Sequence, residues 1–374
     1  MAISFPPSST RGGMSADTEA KPHAVLVTGA TGLVGRELVD QLRLRGTVQV
    51  VGVSRRGAPG ETGTVAWDMG VESPPAQLRR PWDAIVHAAA NTRWTMNPEE
   101  AEAANVASVR ALRPLVSDRT RMIHVSTAYA LGLRGDVESS SLDDYRNTYE
   151  WSKAHAERVA REIFTRLTVV RPPLIVGRRS DGRASRFSGM YTLIRGITVG
   201  TVPAVIADPD ARFDAIPVDA LCRLLADLAT GQKTSEGTSL TIAAGSSAPM
   251  VGEAIDAVVG ALNQWRQEHD RQPLETPPVI PPESWDRFFR PFAQANLTPR
   301  QLMILDLLGS FEPYLALTEP LQPDYTVTDI VPSLEISTRH WAEVNPRIAM
   351  RTPRPWRGRP TTASEDLEGK MVNA

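Results

Sequence analysis

The stretch VLVTGATGLVGRELV, Val25–Val39, constrains the fold of this chain more than any other. An apolar run, Ala24–Val27, meets three glycines, Gly29, Gly32 and Gly35. A helical pattern follows at once, with Val34, Leu38 and Leu42 on one face and Gly46 as its stop. Glycines so placed permit a tight turn and a close backbone approach to a ligand. The helix that starts there offers free N–H groups and a favourable dipole to an anion. A strand, a glycine turn and a helix in that order mark a pyrophosphate-binding turn.

The pattern that follows keeps the same grammar. Val48–Val53, Thr64–Trp67, Ala84–Ala88, Met122–Val125 and Leu167–Arg171 read as further strands, and residues 99–115 and 149–164 as helices. Short apolar strands spaced by amphipathic helices predict an α/β fold with a doubly wound parallel sheet of the Rossmann kind. After Gly177 the alternation weakens, although DAIPVD (Asp214–Asp219) precedes a helix and SLTIAAG (Ser239–Gly245) reads as a late strand. The proline-rich Arg271–Ser284 reads as a linker. Residues 22–245 are expected to form the nucleotide-binding domain, with 178–212 contributing to the substrate unit. Residues 246–358 are expected to form a smaller C-terminal substrate-binding domain, and 1–21 and 359–374 loose tails.

A site that prefers NAD wants an acid about 20 residues after the glycine turn, at the end of the second strand. Here that strand ends in Ser54-Arg55-Arg56. Two guanidiniums suit a 2′-phosphate, so the reading is NADPH rather than NADH. The bland alternative is a pair of solvated surface arginines. Asp68, after the third strand, could accept a hydrogen bond from an adenine amine; alone it would be a loop aspartate.

A second stretch, NTYEWSK (Asn147–Lys153), raises a separate question. At about 100° per residue, Tyr149, Lys153, Ala156, Ala160, Ile163 and Phe164 share one stripe. Glu150, Glu157, Arg158, Arg161 and Glu162 are expected on the opposite side. A lysine amid apolar neighbours is costly without a partner. Beside a nicotinamide cofactor it could hold ribose hydroxyls, and its charge would lower the pKa of Tyr149, one turn away. Tyr149 would then give a proton to an oxygen that receives hydride. Ser126-Thr127 ends the strand MIHVST, where a hydroxyl points into the crevice of a doubly wound sheet; Thr127 would bind the same oxygen.

The remaining composition narrows the classes. The chain has 374 residues, 41% hydrophobic and 22% charged, with formal net charge −2. Such a balance gives no reason to expect nucleic acid or an anionic membrane as a partner. No run reaches the length of a transmembrane helix, and the N-terminus lacks a secretory core. The single cysteine, Cys222, reads as a buried small hydrophobe, and a reducing cytoplasm fits. His87, His124 and His155 lack metal-site spacing. The first two read as strand-end packing and the third as a polar-face residue, so no metal is expected. Trp285, Phe288, Phe289 and Phe292 read as the core of a small domain, with an acyl tunnel as the alternative. Asp214 and Asp219 read as a turn and a helix cap.

TGATGLVG (Thr28–Gly35), HAAA (His87–Ala90), STAY (Ser126–Tyr129), YEWSK (Tyr149–Lys153) and RPPLIVG (Arg171–Gly177) occur together in this order. In this the chain resembles the extended short-chain dehydrogenases/reductases over roughly residues 22–245. HAAANTRWTMNPEEAEAANV, HVSTAYALGLRGDVE and NTYEWSKAHAERV are most similar to fatty acyl-CoA reductases and thioester reductase domains. The resemblance implies Thr127, Tyr149 and Lys153 as the catalytic set. It implies Gly29, Thr31, Gly32, Leu33, Val34, Gly35, Ala88 and Lys153 as cofactor contacts, Arg55 and Arg56 at the 2′-phosphate, Asp68 at the adenine and Ile175 against the nicotinamide. Asn105 would stabilise the site's architecture, and Asp214 and Asp219 a joint between domains. The implied substrate is an acyl thioester, on coenzyme A or a carrier protein; a homodimer is compatible with the sequence. Other extended reductases or epimerases acting on a ketone, aldehyde or nucleotide-sugar, and a non-catalytic NADP-binding protein, are the alternatives.

Overall fold

The computed structural model describes residues 23–58 and 63–353. Both expected tails lie outside the described residues. The strands are β1 (His23–Thr28), β2 (Val48–Ser54), β3 (Thr64–Ala66), β4 (Ala84–His87), β5 (Arg121–Val125), β6 (Leu167–Arg171), β7 (Leu174–Val176), β8 (Val205–Ile206), β9 (Ala215–Pro217), β10 (Ser239–Ala243), β11 (Val279–Ile280) and β12 (Tyr325–Thr326). Eight of them form one sheet in the order β12-β10-β6-β5-β4-β1-β2-β3. Each neighbouring pair in it is parallel.

Alternation along the strands places residues on two cores. In β1, Val25 and Val27 face one layer and Leu26 the other; Val86 and Ile85 divide in the same way, as do Ile123 and Met122. Successive strand side chains point to opposite faces, and a parallel sheet must cover both. The first helix, Leu33–Leu44, and helix Val218–Thr230 cover one face through Leu38, Leu42, Leu221 and Leu225. The helical stretch 98–110 and helix Thr148–Ile163 cover the other through Val106, Val109, Ala156 and Ala160. Cys222 is fully buried on the first of these faces.

The chain passes residue 245 without leaving this core. Helices Val251–Glu268 and Ile330–Val344 contribute Val258, Leu262, Leu334 and Trp341 to it, and β12 extends the main sheet beyond β10. A smaller cluster stands apart, built from Ala204 and Ile206 with Trp285, Ala293 and Leu297. It joins the segment before the main-sheet strand β10 to the segment after the proline-rich stretch, and β8 pairs with β11 between them. Trp285 stacks on Phe289 within it, whereas Phe288 is exposed and stands clear of that core. The Phe292 side chain lies outside the described residues. Among the described residues no helix is long and apolar enough to cross a membrane.

Candidate active site

Reversal of the strand order between β1 and β4 opens a crevice at their carboxyl ends, where doubly wound folds bind ligands. The glycine turn lies there. Gly29 adopts φ +72°, and a Cβ on it would sit 2.8 Å from the Ala88 carbonyl oxygen. A Cβ on Gly35 would collide with the Gly29 carbonyl. The turn is therefore packed down on the end of β4, with Ala88 at its floor. Gly32 begins the first helix with no side-chain cap, which leaves N–H groups at its N-terminus for an anion. Thr31, Leu33 and Val34 are half-buried around it. This cradle fits a dinucleotide pyrophosphate.

β2 runs beside β1, and the Ala30 N–H donates to Val53 O at 3.0 Å, so the turn and the end of β2 are fastened together. Arg55 and Arg56 follow directly and are exposed. Asp68 lies beyond β3, with its carbonyl accepting from Val71 and Glu72 N–H. Ile175 is half-buried in β7, just after Pro172, whose carbonyl accepts from Ala128 N–H at 2.8 Å.

Thr127 ends the β5 segment, 5% exposed, and its Oγ accepts from Tyr129 N–H at 3.4 Å, capping the short turn Ala128–Leu131. That turn packs on helix Thr148–Ile163. Lys153 is 1% exposed on the same helix. Its Nζ donates to Val125 O at 2.7 Å and lies 3.5 Å from His124 Nε2. A strand-end carbonyl and an imidazole thus compensate the buried ammonium. Burial still pushes its pKa down from 10.5 to about 8, against a smaller opposing pull from Glu157.

His124 and His87 are fully buried and stacked, centroids 5.4 Å apart. His87 Nδ1 is 2.8 Å from Thr28 Oγ1 and Nε2 is 3.4 Å from Ser108 Oγ. Burial first, and the Lys153 charge second, hold His87 down at about 3; His124 is lowered by the same causes. Both rings are therefore neutral, and His124 Nε2 can accept a hydrogen bond from the lysine. They do more than pack strand ends. Ser126 Oγ, beside Thr127, is buried without a hydrogen-bond partner.

Tyr149 is half-buried, and burial raises its pKa, with Glu150 adding to the rise. The expected lowering by Lys153 does not offset this rise. The phenol is therefore held protonated.

Two of the acids expected on the opposite side lie instead at the edge of the apolar stripe. Glu150 and Glu157 are both 0% exposed. Glu157 receives Arg171 Nε at 3.0 Å and Nη2 at 2.6 Å, and Arg161 Nη2 at 2.9 Å. Glu150 pairs with Arg146 at 3.3 Å. Helical periodicity separates an apolar stripe from a charged one, but this helix is enclosed on more than its apolar stripe. Its acids are buried with their partners.

Asn105 lies where the stretch 98–110 widens to a π-turn at Glu102–Val106, a distortion frequent at functional sites. Its amide accepts from Asn91 N–H at 2.8 Å and donates to Asn91 O and to Ser152 Oγ at 2.9 Å. The loop after β4 is thereby clamped to the residue before Lys153. Asp214 accepts from Ala244 and Gly245 N–H, joining the start of β9 to the end of β10. Asp219 is not a cap: it lies in the first turn of its helix and accepts from Arg179 N–H. Among the described residues no group of three or more His, Cys, Asp or Glu could hold a metal ion.

Sequence reasoning passed over Asn91, Trp94 and Tyr314. The first two lie in the quoted segment after β4, where only Asn105 was singled out. Tyr314, from the short helix Glu312–Leu315, receives Asn147 Nδ2 at 2.6 Å; no local pattern signals a contact between residues so far apart in sequence.

Residues 68–225 match the family model described as Male sterility protein. The chain is 27% identical over 258 residues to the isonitrile lipopeptide synthase of Streptomyces coeruleorubidus, covering 58% of this chain and 17% of that protein. It is 27% identical over 177 residues to fatty acyl-CoA reductase 1 of Homo sapiens, covering 37% of this chain and 34% of that one. It spans less than two thirds of the length of these relatives. The crystal structure of the terminal R domain from the myxalamid PKS-NRPS biosynthetic pathway shares the fold, with TM-score 0.63, 19% identity and coverage of 90% of this chain and 94% of that one.

Proposed function

We infer that this chain is an extended short-chain dehydrogenase/reductase of the branch of fatty acyl-CoA reductases and thioester reductase domains, and so a nicotinamide-dependent oxidoreductase, and we propose that it uses NADPH to reduce an acyl thioester to an aldehyde. What supports the reading is that Lys153 Nζ donates to the Val125 carbonyl two residues before Thr127, that Tyr149 stands one helical turn before Lys153, and that the glycine turn packs on the end of neighbouring β4.

In this reading Gly29, Gly32 and Gly35 hold the pyrophosphate, Arg55 and Arg56 a 2′-phosphate, and Ile175 flanks the nicotinamide. The bound nicotinamide supplies the hydride. Thr127 and Tyr149 donate to the thioester carbonyl oxygen and stabilise the negative charge that builds on it. Tyr149 enters this step with its proton in place. The third N–H of Lys153, beyond those directed at Val125 O and His124, holds a ribose hydroxyl. Collapse of the oxyanion expels the thiolate and leaves the aldehyde, and whether a second reduction gives the alcohol depends on its release. The match to relatives that include a lipopeptide synthase and an acyl-CoA reductase supports a thioester on coenzyme A or a carrier protein.

A panel of acyl-CoA thioesters, pantetheine-bound thioesters, ketones and nucleotide-sugars, each with NADPH, tests this. Turnover of thioesters is expected; turnover of ketones or nucleotide-sugars alone would move the enzyme to another reductase class.

A further inference from the structure

We propose that Tyr314 is a positioning residue, through which the C-terminal segment fixes the end of helix Thr148–Ile163 that carries Tyr149. The inference rests on Tyr149 being the proton donor. Asn147 caps this helix, with Oδ1 accepting from Glu150 N–H at 3.0 Å. That bond orients the amide, so Nδ2 must face away from the helix, and it donates to Tyr314 Oη at 2.6 Å, while the same hydroxyl faces the Glu150 carboxylate in the first turn of the helix. The cap is complete without Tyr314. The second bond instead removes the freedom of the capping turn to pivot.

Aromatic packing fixes the tyrosine in turn. Its ring stacks on Trp94 at 5.0 Å and meets the Tyr129 ring edge-on at 4.8 Å. Phe311 closes on Trp94 at 4.8 Å, and the Arg146 guanidinium lies 5.9 Å from the Tyr314 ring. The loop that carries Trp94 grips the same turn, since Thr148 Oγ donates to Met96 O at 2.8 Å. Contacts from the β4 loop and the C-terminal segment converge on residues 146–148, immediately before Tyr149, and the turn after Thr127 supports them through the Tyr314 ring. An error of about 1 Å in a reacting group can cost up to ~100-fold in rate, so a hydroxyl that sets this turn sets turnover.

The test compares the NADPH-loaded full chain with Tyr314→Phe, Asn147→Ser and the double variant. Tyr314→Phe keeps the ring, and Asn147→Ser keeps a cap acceptor but no amide donor. Each single variant should accelerate hydrogen exchange at residues 147–153 and lower kcat about tenfold, with NADPH affinity retained and thioester KM within about twofold. The double variant should be no worse than Tyr314→Phe, which also takes the hydroxyl from Glu150. Unchanged exchange in Tyr314→Phe, additive losses, or a lower Tm with normal kcat would overturn the proposal. If the parent chain reduces no thioester, the exchange data still decide this point, and the failure belongs to the substrate reading.

Discussion

Lys153 and Tyr149 stand one turn apart on the same helix, yet their surroundings are built differently. Around Lys153 the partners are strand ends: the Val125 carbonyl, the His124 imidazole and, behind it, His87 on Thr28. Around the turn that carries Tyr149 the partners are rings and an amide from loops and the C-terminal segment, namely Trp94, Tyr129, Phe311, Tyr314 and Asn147. The first flank takes its geometry from sheet register, which moves only if the sheet moves. The second depends on contacts between distant segments that can loosen separately. The molecule thus holds Lys153 on a rigid frame and Tyr149, the proposed acid, on an adjustable one.

The largest expected effect lies on the adjustable flank. Tyr149→Phe should lower turnover about 10²–10⁴-fold while an NADPH titration of the same variant stays close to the parent. A parent-like rate would remove Tyr149 as the acid.

Next is the frame itself. Glu157→Ala leaves Arg171 without its buried carboxylate and should cost about 3–5 kcal/mol in denaturant unfolding. A loss under about 1 kcal/mol, the scale of an exposed pair, would mean that the pair is more solvated than its burial indicates.

A pH series separates the flanks further. His87 is lowered from 6.5 to about 3, so between those values the unfolded chain binds a proton that the folded chain refuses. Stability should therefore fall as pH drops from about 6.5 towards 3. In His87→Asn that slope should be shallower; an identical slope would place the acid sensitivity elsewhere. Lys153 acts at the other end. Its charge is lost as pH rises through about 8, and NADPH affinity should weaken there.

The smallest effect belongs to neither flank. Arg55→Ala with Arg56→Ala should reduce the NADPH-over-NADH preference about tenfold, the scale of about one charge-assisted hydrogen bond. Fold and kcat should be retained. An unchanged ratio would make both arginines ordinary surface residues.

The two flanks also differed in how far the sequence disclosed them. Strand alternation, the glycine turn and the stripe carrying Lys153 are local patterns, and they located the sheet, the cradle and the buried lysine. Glu150 and Glu157 were misplaced because, at about 100° per residue, they stand beside Phe164 at the edge of the apolar stripe and not opposite it. The boundary expected at residue 245 does not interrupt the core, since β12 returns to the main sheet across a long excursion. Tyr314 was invisible for the same reason. Its partner Asn147 lies 167 residues away, and no local spacing encodes such a contact.

The most direct measurement follows NADPH oxidation and free thiol in one cuvette, with acyl-CoA and then carrier-bound thioesters, beside Tyr149→Phe as the control. The account predicts thiol release equal to NADPH consumed for an aldehyde product, or half of it for an alcohol, and near-abolition in the variant. NADPH oxidation without thiol, or binding of NADPH with no turnover on either thioester, would contradict it.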